Sequence, residues 1–569
     1  ALHPFTLPAH DGIPAPSDPC RVGLMLCEDM WDADYAIKPG RILAANGATL
    51  LLNLSCSPWT WRKNAKRHRV AAALCRETGI RLAYVNTVGI QNNGKDIYAF
   101  DGGSTFYGSD GRILADLPPF AAGFLGETGP LDQPGLLYQP GQVPATPPGA
   151  SPLGRGLSDA GSTDAGQLGA GSPAAGGGSP AAGQPHPSAA APGGAWSPAA
   201  PADPEAALAR DTAEIFDVLV FSLRQWFARN GNPPAAIGLS GGIDSALVAT
   251  LLAIALGPER VWAVNMPSRF NSATTKDAAR QLAANLGINY ASIPIQGSVE
   301  LTIAQTETTA WDLAPGLAAR GQSPTLTLSG LNRENIQARD RGGRVLAAVA
   351  SAIGGVFTNN GNKTETGFGY ATLYGDVNGA LAPIGDLYKT QVYALAAHIN
   401  ALFSAGALDS GPAGNAPWTA GFHTPTGDGL IPRAIIEVVP SAELSENQNV
   451  DEGKGDPIRY DYHDRVLYQF VDGGHQEGWR PAWGRRDPCD LLHWYLDGEI
   501  DRRLELPAGT CARYCPDLAS FCKDLEEKWT WYKRSIFKRI QAPPIIALSR
   551  RAFGFDLRES TNGIYLSQA

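Results

Sequence analysis

The spacing of apolar and polar residues changes several times along the chain, and each change marks a predicted element. Near the start, Arg21-Val-Gly-Leu-Met-Leu-Cys27 and Ala48-Thr-Leu-Leu-Leu-Asn-Leu54 are apolar runs of strand length, joined by a helical stretch that leads to Gly40. Asn64 to Thr78 has the spacing of an amphipathic helix, and Arg81-Leu-Ala-Tyr-Val-Asn86 that of a third strand. This alternation predicts α/β layers over residues 1–120. From 121 to 204 the pattern disappears and Gly, Ala, Ser and Pro dominate. Too little apolar side chain remains there to offset the entropy of ordering, so a disordered linker is expected.

Regular spacing returns at Asp203-Pro-Glu-Ala, where an N-cap acid, proline at the first helical position and a first-turn acid predict a helix to about Arg229. Ile215, Phe216, Leu219, Leu223 and Phe227 fall on one face of it. Pro234 to Leu239 then reads as a buried strand, Ala246 to Leu256 as a helix ended by Gly257, Val261 to Met266 as a strand, and Asp277 to Leu286 as a helix capped by Gly287. Strand alternating with helix predicts a second α/β unit over 205–569, doubly wound about a parallel sheet, with ligand at the C-terminal ends of its strands.

The turn Gly238-Leu239-Ser240-Gly241-Gly242-Ile243-Asp244-Ser245 lies between the first strand and helix of that unit. Its glycines let the backbone approach a phosphate, and the helix N-terminus adds free N–H groups and positive dipole. An ordinary P-loop is excluded, because no Gly-Lys-Ser/Thr follows. Asp244 stands in the cradle instead; a carboxylate beside a polyphosphate needs a bridging divalent cation, which implies Mg²⁺. Ser-Gly-Gly-Ile-Asp-Ser resembles the PP-loop of the ATP pyrophosphatases, which cleave ATP to AMP and pyrophosphate while adenylating a substrate oxygen. The resemblance implies ATP as co-substrate and leaves the acceptor open.

Upstream, Cys27-Glu28-Asp29, Asn53-Leu-Ser-Cys-Ser-Pro58, Val85-Asn-Thr-Val-Gly89 and Phe100-Asp-Gly-Gly-Ser104 resemble the second half of a nitrilase-type amidase. In that family Glu, Lys and Cys cooperate on an amide, and Cys27 matches the nucleophile. The family's Glu and Lys precede the Cys, whereas the first lysine here is Lys38. The base and the lysine are therefore expected to be missing from this sequence, and a partial nitrilase-like α/β sandwich is the expected fold of residues 1–120.

Further stretches narrow the acceptor. Asn335 and Arg339, four apart on a predicted helix, share a face. Val356-Phe-Thr-Asn-Asn-Gly361 reads as a strand running into Asn362-Lys-Thr-Glu365, which places Glu365 at a strand end suited to a second Mg²⁺ ligand. With Gly369 to Asp376, Pro383 to Lys389, Pro440-Ser-Ala-Glu-Leu444 and Phe537 to Pro544, these resemble, in order, the synthetase domain of the NAD⁺ synthetases. The likeness covers about 205–557, and with the amidase half it is to the glutamine-dependent form. It implies that Gly238 to Ser245, Asn360 and Ser441 bind ATP, that Asp244 and Glu365 bind Mg²⁺, that Asn335, Arg339, Glu365 and Lys538 bind deamido-NAD⁺, and that Asp376 and Lys389 flank the reacting centre. Two departures stand out: an added Gly/Pro-rich loop at about 403–429, and Val438-Val439 where the family often has a lysine. Three rivals remain: a GMP-synthetase-like amidotransferase, a PP-loop RNA-modifying protein, and a non-enzymatic remnant.

Composition trims these. Net charge of −9 and a pI near 5.6 leave no footprint for nucleic acid. Eight unevenly spaced cysteines make no disulfide framework and suit a reducing cytoplasm; Cys511, Cys515 and Cys522 lack a fourth ligand at zinc spacing. No run approaches the ~18 apolar residues of a membrane span, and no leader opens the sequence. Ala1 in place of Met leads us to expect that the true N-terminus lies upstream. Family likeness also implies a homo-oligomer assembled through the synthetase domain.

Overall fold

The computed structural model describes residues 2–6, 20–123, 204–408, 422–424, 427–473 and 486–553. Residues 124–203 of the expected linker and most of the 403–429 loop lie outside the described residues, apart from the helical and turn residues up to 408 and short pieces at 422–424 and from 427. Strands β1 (Phe5–Thr6), β2 (Arg21–Leu26), β3 (Leu50–Ser55), β4 (Arg81–Asn86), β7 (Thr105–Tyr107) and β8 (Ile113–Asp116) form one six-stranded sheet in the order β1-β2-β3-β4-β7-β8, β2, β3 and β4 being parallel. Helices α1 (Pro39–Ala45) and α2 (Lys63–Thr78) cover one face, where Met25, Leu43, Leu51, Leu74, Leu82 and Tyr84 are buried. On the other face Leu26 is 60% exposed and Leu54 42%.

Strands β5 (Val88–Asn93) and β6 (Asp96–Asp101) make a hairpin, and β13 (Ile545–Ala547) joins its edge in parallel register, Ile545 opposite Asp96 and Ala547 opposite Tyr98. The C-terminal region thus completes a sheet begun near residue 90. Lys95 fastens the junction by donating its ammonium to the carbonyls of Ile540 and Ala542.

The second unit opens with α3 (Pro204–Arg229), whose five predicted core residues are all at most 4% exposed. Strands β9 (Ala235–Gly238), β10 (Val261–Asn265), β11 (Asn289–Ser292) and β12 (Val356–Phe357) form a parallel sheet in the order β11-β10-β9-β12. Alternation sends Ala263 to a core with α3, α4 (Ile243–Leu256) and α5 (Ala273–Leu286), and Val264 to a core with Ile295 and Leu346. Helix α4 is apolar on nearly every side because it is buried on nearly every side. Strand order reverses between β9 and β12, so a crevice opens beyond their C-terminal ends.

Between β11 and β12 run α6 (Gln296–Thr308), α7 (Pro315–Ala318), α8 (Gly330–Arg339), a π-helical turn Asp340–Leu346 and α9 (Ala347–Ala352). After β12 come α10 (Lys363–Phe368), α11 (Lys389–Ser404) and α12 (Arg433–Glu437). A final helical layer, α13 (Tyr460–Val471), α14 (Pro488–Leu496), α15 (Ile500–Arg503), α16 (Thr510–Tyr514), α17 (Leu518–Arg534) and α18 (Ile536–Gln541), packs around Phe470, Phe521 and Leu525. Among the described residues, no helix is long and apolar enough to cross a membrane.

Candidate active site

The crevice holds a cavity of about 280 Å³ lined by Gly238, Leu239, Ser240, Gly242, Ile243, Asp244 and Ser245 together with Asn360, Glu365, Asp376, Lys389 and Ser441. The glycine turn is built for close approach. Gly241 sits at φ +91°, and a Cβ there would come within 2.0 Å of the Thr275 carbonyl oxygen, so no other residue fits. Ser245 Oγ accepts from the Ser240 N–H at 3.2 Å and lies 3.1 Å from Ser240 Oγ, which folds the turn over the first turn of α4. Helix α4 begins at Ile243, three residues earlier than its apolar run, so Asp244 and Ser245 are part of the anion-facing helix end.

The run after β12 assigns one contact to each of several neighbours. Asn359 donates to the carbonyls of Asp376 and Asn378, Asn360 to Gly238 O at 2.7 Å, and Asn362 to Asp244 Oδ1 at 2.9 Å. Glu365 is not at a strand end as the sequence suggested. It stands at the third position of α10, because Asn362 Oδ1 accepts its N–H at 3.0 Å and starts a helix there. Lys363 next door is buried against Asp386 and Asp472, at 2.8 and 2.7 Å.

Lys389, 3% exposed, bridges Asp244 and Glu365, the latter at 3.1 Å. Burial works against its charge, but Asp244 and Glu365 outweigh burial and raise its pKa well above the ordinary lysine value. Burial pushes Glu365 up to about 7. Burial likewise raises Asp376 to about 6, against the opposing pull of the Thr372 N–H and the Lys538 charge. The ammonium of Lys389 marks where a cation is stabilised, and the oxygen-only pair Asp244 and Glu365 matches the one or two carboxylates with which Mg²⁺ is usually held. The residues present therefore fit that ion.

Not every expected contact lines the cavity. Asn335 and Arg339 do share a face of α8, but Asn335 accepts from Thr372 Oγ1 at 2.8 Å and Arg339 donates to Leu373 O at 3.1 Å, on the rim beside Asp376. Lys538 donates to Gly369 O at 2.7 Å on the same side. Arg341, which the sequence reading passed over, is half-buried in the wall; it donates to Met266 O and Asn271 Oδ1, both at 3.1 Å, and desolvation lowers it to about 10. Glu443, also passed over, accepts from the Ser272 N–H at 3.0 Å and from Thr275 Oγ1 at 2.8 Å, anchoring the Ser441 loop to α5.

Cys27 lies apart from this crevice. It follows β2 at φ +40° and begins a short 3₁₀ turn, a strained backbone for a residue with a Cβ. Downstream of Cys27, outside the order in which the family supplies its lysine, Lys63 stands at the start of α2, which packs against the turn that Cys27 begins. Burial and Arg67 lower Lys63 to about 8. Sequence spacing hid this, since α2 reaches Cys27 only once β2 and β3 pair. Below it Arg67 and Asp101 form a fully buried two-bond pair at 3.1 and 3.2 Å.

Residues 215–478 match the NAD synthase family model. A glutamine-dependent NAD(+) synthetase of Xanthomonas campestris pv. campestris is 30% identical to this chain over 544 residues, covering 95% of this chain and 72% of the relative. The chain belongs to the glutamine-dependent NAD⁺ synthetase family. A second member, from Rhodobacter capsulatus, is 31% identical over 465 residues and is covered to 65% of its length. The solved glutamine-dependent NAD(+) synthetase of Cytophaga hutchinsonii shares the fold with a TM-score of 0.58 at 14% identity, over 100% of this chain and 75% of that one. Family membership accounts for both halves of the architecture, a nitrilase-like layer and a PP-loop sheet.

Proposed function

We propose that the chain amidates deamido-NAD⁺ to NAD⁺ with ATP, through an acyl-adenylate, releasing AMP and pyrophosphate. The observation that carries this reading is the convergence of the Ser240–Ser245 cradle with Asp244, Glu365 and Lys389 beyond the ends of β9 and β12. A carboxylate lacks a good leaving group. Its oxygen therefore attacks the α-phosphorus of ATP, the bond to pyrophosphate breaks, and ammonia then displaces AMP at the acyl carbon with loss of a proton. The cradle and the N-terminus of α4 hold phosphate oxygens, with Asn360 and Ser441 beside them. Lys389 supplies a compact positive charge to the phosphates as charge develops on them. Asp244 and Glu365 would hold Mg²⁺, which neutralises phosphate charge when bound. Asn335, Arg339 and Lys538 on the rim, with Glu365, hold deamido-NAD⁺, and Asp376 flanks the reacting carbon.

Nitrogen comes from free ammonia, or from glutamine by way of Cys27. Eight unpaired cysteines suit a reducing cytoplasm. Leu301, Trp311, Leu317 and Leu331, exposed by 40 to 66% between β11 and the end of α8, favour a homo-oligomer assembled through the synthetase domain. The test is to supply ATP, Mg²⁺, deamido-NAD⁺ and ammonium and to follow nucleotides by chromatography. NAD⁺, AMP and pyrophosphate should form in equal amounts and stop with a chelator; ADP and phosphate as products would overturn the reading.

A further inference from the structure

Asp456 belongs to none of the stretches that carry the likeness to the family, yet it holds together three parts of the site. Its Oδ2 accepts from the Tyr460 hydroxyl at 2.9 Å. Its Oδ1 accepts from the Tyr370 hydroxyl at 3.1 Å and from the Ala442 N–H at 3.2 Å, and its own N–H donates to Pro440 O at 2.8 Å. The ring of Tyr460 lies 4.9 Å from Lys389 Nζ, in cation–π contact, and its hydroxyl also reaches Glu365 Oε1 at 3.4 Å.

A phenol has one proton to donate. The shorter contact gives that proton to Asp456, which leaves Glu365 Oε1 for the lysine. We infer that Asp456 is a positioning residue for Lys389, acting through Tyr460, and that the same carboxylate ties the Ser441 loop to the lysine it positions. Lys389 hangs on a flexible four-carbon stem between two carboxylates that attract it. The tyrosine ring is the rigid surface that fixes where along that gap the ammonium rests, and Asp456 fixes the ring. Without Asp456 the hydroxyl proton turns to Glu365, competes for the oxygen that Lys389 uses, and draws the ring away.

This rests on the proposed role of Lys389 at the phosphates, so the test has one readout that depends on turnover and one that does not. Asp456→Asn keeps the side-chain shape and loses one acceptor; Tyr460→Phe keeps the ring and loses the hydroxyl. Each should lower kcat for ammonia-dependent AMP formation about tenfold, with KM for deamido-NAD⁺ little changed, since a misplaced charge acts on the transition state. The double variant should be no slower than the slower single one, as expected of residues acting in series. Independently, acylation of Lys389 by an amine-reactive reagent, read by peptide mass spectrometry, should rise severalfold in Asp456→Asn at an unchanged thermal midpoint. Unchanged labelling together with unchanged kcat, or losses that multiply in the double variant, would overturn the inference. A parent chain that forms no AMP would sink the amidation reading instead, and labelling would still decide whether Asp456 positions Lys389.

Discussion

The sheet β11-β10-β9-β12 and the sheet β1-β2-β3-β4-β7-β8 are built from the same strand-and-helix alternation, but they are covered differently. In the first, Ala235, Ala236 and Ile237 are fully buried, and successive residues feed two separate cores. In the second, helices cover one face, and on the other Leu24, Leu26, Leu54 and Val85 are exposed by 39 to 60%. The chemistry follows the cover. Lys389 is enclosed with its two carboxylates where low dielectric strengthens every charge. Cys27 is only half-buried, and the acids beside it are engaged elsewhere: Glu28 accepts from the Tyr35 hydroxyl at 3.2 Å and Asp29 from the Leu26 N–H at 2.9 Å. Among the described residues, the sheet behind the glycine turn encloses its charged cluster between two cores, whereas the sheet that ends at Cys27 is covered on one face.

The sharpest way to break this contrast is by truncation within each sheet. Ile237→Ala should cost about 3 kcal/mol, from lost transfer energy plus a cavity that closed packing cannot fill. Leu26→Ala on the open face should stay within about 0.5 kcal/mol. Chemical denaturation of both variants measures the difference, and equal costs would mean that the open face is covered in solution. Next in size, Asp244→Asn should cut ammonia-dependent turnover by about two orders of magnitude or more, because charge on the departing pyrophosphate loses its clamp. A Mg²⁺ titration that restores full activity would remove Asp244 from the site.

Glutamine should serve the chain poorly. An amide nucleophile needs a neighbouring base to take its proton, and with Glu28 and Asp29 engaged elsewhere glutamine-dependent turnover should be about 100-fold below the ammonia-dependent rate. Glutamate release measured with Cys27→Ala as control decides this; robust release that vanishes in the control would show that Lys63 and its neighbours suffice. The smallest effect concerns acid. Burial and Arg67 lower His68 to about 4, with its Nδ1 2.7 Å from the Tyr107 hydroxyl. A histidine whose folded pKa is depressed adds stability above its unfolded value of about 6.5, and that stability is lost as pH falls towards 4. Thermal midpoints should therefore decline more steeply from pH 6.5 to 4.5 in the parent than in His68→Gln.

Much of this site was legible because its signals are local. The turn Ser240–Ser245 is read from glycines that only one backbone path explains, and Arg81–Asn86 is a strand to the residue because a glycine turn precedes it. The error at Glu365 was also local: Asn362 three residues ahead is an N-cap signal, and it was passed over in favour of the preceding apolar run. Asn335 and Arg339 share a face of α8 as their spacing requires, but neither they nor Lys538 line the cavity, since spacing fixes a face and not a depth. Lys63 and Asp456 gave no readable signal. Their partners lie on other elements, and only the packed fold brings them together.

The strand Ile545–Ala547 has a consequence for how the molecule comes into being. Lys95 and the Ile540 carbonyl that it holds are 445 residues apart. At about 5–20 residues per second of synthesis, the β5–β6 hairpin waits about 20 to 90 seconds on the ribosome before its third strand exists. Throughout that interval the β6 edge presents unpaired amides to the cell, an open template for strangers. The rate of translation, as much as the sequence itself, sets how long the nascent hairpin must stay out of trouble.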